Sequence, residues 1–171
     1  MPRSNIIAID PGYREIGYAR FEGDNLIDFG VKSLRRHHSQ ASSLIILGQT
    51  IRRFIDEQAP DTIVLEKNSF EHVNQNQPVM KVIKSIKRIA SSYAISVMEF
   101  APNTIRKTIC NSGLATKRQV AQTVCTLYPE LVPYLESRQI WRERYYQNMY
   151  DAVACGLTYL KLYEKETVKK E

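Results

Sequence analysis

The chain has 171 residues, a length that suits one compact domain and leaves little room for a second. Hydrophobic residues make up 43% and charged residues 25%, which excludes disorder throughout, and no run reaches the ~18 apolar residues of a membrane helix. Lys and Arg number 24 against 18 Asp and Glu, and the resulting net charge of +6 favours polyanionic partners, nucleic acid before an anionic membrane surface. Cys110, Cys125 and Cys155 are odd in number, far apart and without CxxC spacing. That argues against a disulfide framework or a cysteine zinc site and for a reducing, intracellular compartment. Residues 1–5 run straight into a strand-like segment, with no signal-peptide pattern.

Asn5-Ile6-Ile7-Ala8-Ile9-Asp10 is a short apolar run that stops at a carboxylate, and Pro11-Gly12 then turns the chain. Strand-like segments follow at residues 15–21 and 26–34, joined through Glu22-Gly23-Asp24-Asn25, a hairpin composition. Leu44, Leu47, Ile51, Phe54 and Ile55 recur at helical spacing within residues 39–57, and Pro60-Asp61 ends that helix. Thr62-Ile63-Val64-Leu65-Glu66 is apolar on both faces until its terminal acid, as in the covered centre of a sheet. A helix is expected over residues 78–93 and a fifth strand over 94–100; a short helix opens at Pro102-Asn103 and is broken by Asn111-Ser112-Gly113. Thr116 caps a helix to about residue 128, Pro129 and Pro133 mark a loop, and the last helix is expected over residues 147–163, with a frayed tail after it. The order βββ-α-β-α-β-α-α-α predicts an α/β fold, a five-stranded mixed sheet flanked by helices, and resembles the ribonuclease H-like order of elements.

Three acids stand at chemically suggestive places. Asp10 and Glu66 each end an apolar strand, and Asp151 lies in Met149-Tyr150-Asp151-Ala152-Val153-Ala154-Cys155-Gly156, whose small residues let a helix lie close on a sheet. Converging carboxylates would form a cage for Mg²⁺, which takes oxygen ligands and keeps several waters. Two such ions ~3.5–4 Å apart activate a water and stabilise the leaving oxygen of a phosphodiester. Each acid also has an ordinary reading: Asp10 as a turn former, Glu66 paired with a lysine, Asp151 as a first-turn acid favoured by the helix dipole.

The chain resembles the RuvC family of Holliday junction resolvases over most of its length. Ile7-Ala8-Ile9-Asp10-Pro11-Gly12 with Gly17-Tyr18 is similar to the family's first-strand motif, and Pro60-Asp61 through Leu65-Glu66 to its second acidic strand. Phe100-Ala101-Pro102 to Lys117-Arg118-Gln119-Val120 and Asp151-Ala152-Val153-Ala154 resemble its two later motifs. The resemblance implies a homodimeric, Mg²⁺- or Mn²⁺-dependent endonuclease that makes paired, symmetric nicks in four-way DNA junctions. It also implies that Asp10, Glu66 and Asp151 are the metal-binding acids, and that Arg106 and Lys117 lie near DNA phosphates. Two positions depart from the family. Asn148 stands where an acid or His is usual; it shares a helical face with Asp151, so its amide oxygen is a weaker fourth ligand, with Glu143 as an alternative. Ser69 stands where an aromatic is frequent and Phe70 follows it, a candidate wedge at the junction centre or an ordinary packing residue.

Lys81, Lys84, Lys87 and Arg88 occupy the polar side of a helix whose other side is apolar, which suits phosphate contacts or simply a solvated face. Arg106-Lys107 and Lys117-Arg118 add cations near the acids and favour DNA; the apolar stripe Val79, Val82, Ile83, Ile86, Ile89, Ala90 offers a dimerisation surface. Arg35-Arg36-His37-His38 adds a further basic cluster, with adjacent histidines unsuited to a metal, and Tyr145, Tyr146 and Tyr150 suit packing better than base stacking. The reading is thus a junction-resolving endonuclease acting with DNA inside the cell. Its alternatives are a weakly active junction-binding protein, or a related nuclease acting on other branched DNA or RNA–DNA hybrids. An actin-like ATPase, which shares this core, would need a second domain.

Overall fold

Alternating and continuous apolar runs form strands where the sequence predicts them: β1 Asn5–Asp10, β2 Glu15–Glu22, β3 Asn25–Ser33, β4 Thr62–Glu66 and β5 Ser96–Phe100. The computed structural model describes residues 4–34, 40–67, 77–135 and 140–164. The strands lie in one mixed sheet ordered β3-β2-β1-β4-β5. The meander β1–β2–β3 is antiparallel, whereas β4 and β5 run parallel to β1 through helical crossovers. Asn5 fixes the start of β1, its N–H donating to Asp61 Oδ2 at 2.8 Å and its side chain reaching the backbone carbonyls of Gln58 and Ala59.

Helices cover both faces. On one, α1 Gln40–Gln58 and α2 Gln77–Ser92 bury Leu47, Ile51, Phe54, Val82, Ile83, Ile86 and Ile89 against Ile7, Ile9, Ile63 and Leu65. On the other, α3 Pro102–Cys110, α4 Lys117–Leu127 and α6 Ile140–Tyr159 pack against Ile6, Ala8, Ala19, Phe21 and Val64. The strand period of two separates these sets: in β1 odd positions face α1 and α2, even positions face α6. One expectation fails here. The apolar stripe of α2 lies in this intrachain core, with Val82, Ile83, Ile86, Ile89 and Ala90 all buried, so it provides no dimerisation surface.

Residues expected as a loop at Pro129 and Pro133 instead make a 3₁₀ turn, Pro129–Leu131, and the short helix α5, Val132–Leu135. Proline fits the first turn of a helix because the missing N–H has no partner there. Helix α6 begins at Ile140, inside the charge-rich stretch, rather than at residue 147, and ends in a π-helical turn, Leu160–Glu164. Tertiary packing supports this early half. Tyr146 meets Tyr134 with ring centroids 4.9 Å apart and Tyr145 at 5.2 Å, and Tyr134 in turn packs edge-on to Phe29 of β3. The buried Tyr150 donates its hydroxyl to the Leu131 carbonyl at 2.7 Å, so the tyrosines are packing residues as expected.

Helix α6 approaches the sheet at two glycines. A Cβ on Gly17 of β2 would fall 1.8 Å from the Asn148 carbonyl oxygen, and one on Gly156 of α6 would fall 2.4 Å from the Phe21 ring and 3.1 Å from Ala8 Cβ. Gly17→Ala meets backbone, which cannot rotate away, and is expected to destabilise the protein by about 3 kcal/mol or more, the upper end of overpacking effects. Gly156→Ala needs the fully buried Phe21 ring to shift and should lower stability by roughly 1–3 kcal/mol. Urea unfolding followed by circular dichroism measures both.

Candidate active site

Strand parity aims the first two acids. Asp10 continues the even series Ile6, Ala8 of β1, and Glu66 continues Thr62, Val64 of β4, so both carboxylates lie on the α6 side of the sheet. The parallel pairing of β1 with β4 runs in register to Ile9 opposite Leu65, which places Asp10 and Glu66 next to each other at the strand ends. Both are half-buried there.

The third acid comes from α6. Because that helix starts at Ile140, Asp151 sits about three turns inside it, and the first-turn reading of this residue is overturned: the helix dipole acts only near the ends. Asp151 is 6% exposed, and its Oδ2 accepts from Lys117 Nζ at 2.6 Å while Oδ1 accepts from Gln147 Nε2 at 2.9 Å. Lys117 is delivered by a capping box: the Gln119 N–H donates to Thr116 Oγ1 and the Thr116 N–H to Gln119 Oε1. The box fixes the start of α4, with Lys117 as its first residue.

The electrostatics follow from crowding. Burial, then the charges of Asp151 and Glu66, push the Asp10 carboxyl well above the usual carboxylate range, against the pull of Lys117. Burial and Asp151 likewise raise Glu66 to about 7, opposed by Lys117 and Arg106. Burial works against the Lys117 ammonium, but its ion pair with Asp151 and the charges of Asp10 and Glu66 outweigh that and raise its affinity for the proton. The fully buried Cys155 thiol is pushed far up by burial and then by Glu66, Asp10 and Asp151, so it stays neutral beside them. Among the described residues, no three His, Cys, Asp or Glu side chains are gathered tightly enough to hold an ion in the present arrangement.

The profile of the family described as crossover junction endodeoxyribonuclease RuvC matches residues 6–132 of this chain. A RuvC from Akkermansia muciniphila is 33% identical over 160 residues, covering 91% of this chain and 89% of that protein. The chain belongs to the RuvC family. The fold agrees. A Thermus thermophilus RuvC structure superimposes with a TM-score of 0.75 at 17% identity, covering 95% of this chain and 96% of that one. The RuvC of the same organism in complex with a Holliday junction substrate gives 0.74 at 16% identity, with the same coverage. RuvC enzymes depend on a divalent metal, and carboxylate oxygens such as those of Asp10, Glu66 and Asp151 are the donor type a hard cation takes.

Asn148, the position that departs from the family pattern, lies beside the β1–β2 turn. Its Nδ2 donates to the Glu15 carbonyl at 3.5 Å, a long contact, and its own carbonyl is the group packed on Gly17. The structure brings Arg106 of α3 within electrostatic reach of Glu66, on the same side of the sheet as the acids, with Lys107 and Arg118 exposed on α3 and α4. Lys81, Lys84, Lys87 and Arg88 are exposed as expected, but on α2, in the layer behind the sheet, and Lys87 pairs with Glu99 at 2.7 Å. Lys81, Lys84 and Arg88 line a cleft of about 620 Å³ between α1 and α2, together with Leu44, Ile45 and Ile89. Phe70, Ser69 and the cluster Arg35-Arg36-His37-His38 lie outside the described residues, as does the side chain of Glu143.

Sequence reasoning missed Gln147, Cys155 and the Lys117–Asp151 pair. Gln147 and Cys155 lie four residues either side of Asp151 on one helical face, a signal available from spacing. The lysine's partner was not, because α4 and α6 meet only through the tertiary fold. The raised acids also set a pH dependence. A carboxyl that holds its proton more tightly when folded stabilises the protein fully below its unfolded value and loses that contribution as pH rises through the folded one. For Glu66 the window runs from 4.5 to about 7. In chelator, the melting temperature is therefore expected to fall across this window, and Glu66→Gln to flatten the fall; thermal denaturation at stepped pH measures it.

Proposed function

We propose that this chain is a Holliday junction endonuclease acting as a homodimer on DNA inside the cell, with Asp10, Glu66 and Asp151 as the metal-binding carboxylates. The observation that carries the reading is that acids from β1, β4 and α6 lie close enough to act on one another's charge, on a chain of the RuvC family. The donor set is all oxygen and partly buried, which suits Mg²⁺, with Mn²⁺ as a substitute and two ions per centre. Such ions, when bound, activate a water and stabilise the leaving oxygen of a phosphodiester. The chain's own residues do the rest. Asp10 and Glu66, fixed on adjacent parallel strands, hold the rigid side of the centre, and Asp151 closes it from the helix above.

Arg106, Lys107 and Arg118, cations on α3 and α4, would take the phosphates flanking the cleaved bond. The α2 cations, behind the sheet, would meet a different stretch of the junction. Substituting Lys81 and Lys84 by Ala is expected to weaken junction binding with little effect on the chemical step. The slope of log affinity against log salt should become shallower by roughly one for each phosphate that is no longer neutralised. Fluorescence anisotropy at several salt concentrations measures this.

Asn148 favours one second reading, junction binding with weak cleavage, because a neutral amide replaces a negative ligand. The decisive experiment is cleavage of a labelled synthetic four-way junction in Mg²⁺ and in Mn²⁺, beside duplex and RNA–DNA hybrid controls. Paired nicks confined to the junction are expected, reduced by roughly a hundredfold or more in Asp10→Asn and in Glu66→Gln while binding persists. Binding without nicks in either metal supports the second reading, and preferred cutting of the hybrid overturns both.

A further inference from the structure

Asp151 is the one buried carboxylate residue among the described residues whose exposure falls as low as 6%, and neither of its oxygens is open. Lys117 Nζ holds Oδ2 at 2.6 Å and Gln147 Nε2 holds Oδ1 at 2.9 Å. Both donors would have to yield for this carboxylate to turn fully to a cation shared with Asp10 and Glu66. The two are not equivalent. Gln147 lies on α6 itself, one turn before Asp151, and travels with it. Lys117 comes from a different element, and its charge acts on Asp10 and Glu66 as well as on Asp151.

The backbone of Lys117 is pinned by the Thr116–Gln119 capping box, yet its side chain is 57% exposed against 8% for that of Asp151. A long stem rooted at a fixed point and open to solvent can swing its ammonium out without disturbing the helix, whereas the buried carboxylate has little freedom. The ammonium thus stands where a positive charge is wanted, attached to the part of the pair able to leave.

We propose that the Lys117 ammonium is the stand-in cation of the metal-free centre: it neutralises and parks Asp151, and a divalent ion binds by displacing it. This rests on the metal reading of Asp10, Glu66 and Asp151 above. It makes Lys117 a positioning residue whose ion pair competes with metal. It also links the two ligands of the protein. A DNA phosphate that draws the ammonium outward removes the competitor, so junction binding raises metal affinity and, by reciprocity, metal raises junction affinity.

The test uses the full chain, Mn²⁺ as titrant, and Lys117→Met, which keeps the stem and removes the charge, beside Lys117→Gln, which keeps a donor. Calorimetric titration should show Mn²⁺ binding at least ~5-fold more tightly to both variants than to the parent, the lower end of couplings between linked sites. In chelator both variants should melt below the parent, and saturating Mn²⁺ should close that gap. Equal or weaker Mn²⁺ affinity in the variants, or a melting deficit that persists unchanged in Mn²⁺, overturns the stand-in role while leaving the metal site intact. No Mn²⁺ binding by the parent, with Asp10→Asn indistinguishable from it, overturns the metal reading and this inference with it.

Discussion

Backbone lies against backbone where α6 crosses β2. At Gly17 the strand offers no side chain, and the Asn148 carbonyl occupies the space a Cβ would fill; at Gly156, further along the helix, the same omission lets Phe21 and Ala8 close beneath. Together with the fully buried Ala152, these contacts leave no room for a larger side chain between α6 and the sheet. Asp151 is carried on that helix. Any larger side chain at the crossing lifts the carboxylate away from Asp10 and Glu66, so the site depends on an absence of atoms some distance from the acids.

What this close approach produces is an electrostatic problem. Three carboxylates share a partly dry corner, where like charges raise each other's hold on protons and burial raises it further. A protein can relieve such crowding by protonation, by an internal cation or by a bound metal. The internal cation is seen in the Lys117–Asp151 pair, and the upward push on the Asp10 and Glu66 carboxyls favours protonation. On the proposed function, the unrelieved remainder is what would favour a divalent ion there, and through it a phosphodiester. Even the buried Cys155 conforms, since a thiol beside three acids stays neutral and adds no charge.

The two helical layers divide the remaining chemistry. Helices α3 and α4 share the acid side of the sheet and carry Arg106, Lys107 and Lys117, so cation and carboxylate chemistry adjoin. Helix α2 presents its lysines from the opposite layer, over a cleft shared with α1. Its apolar stripe seals the core beneath it, with Ile86 fully buried, which leaves partner contacts to the exposed residues of that layer.

The sequence by itself determined the strands, most of the helices, the mixed sheet and the three acids, because each is written locally. Period-two and helical patterns need no distant partner, and an acid ending an apolar run is conspicuous wherever the run packs. Short D-P-G, Q-V and D-A-V-A stretches carried the family likeness in the same way. The tertiary structure alone decided where α6 begins, since its first half packs through Tyr146 on Tyr134, which is backed in turn by Phe29 of β3. It also decided which charges meet. That Lys117 pairs with Asp151, 34 residues away, that Lys87 answers Glu99, and that the α2 stripe faces inward all depend on how helices dock across a sheet, and charge interaction is governed by separation in space.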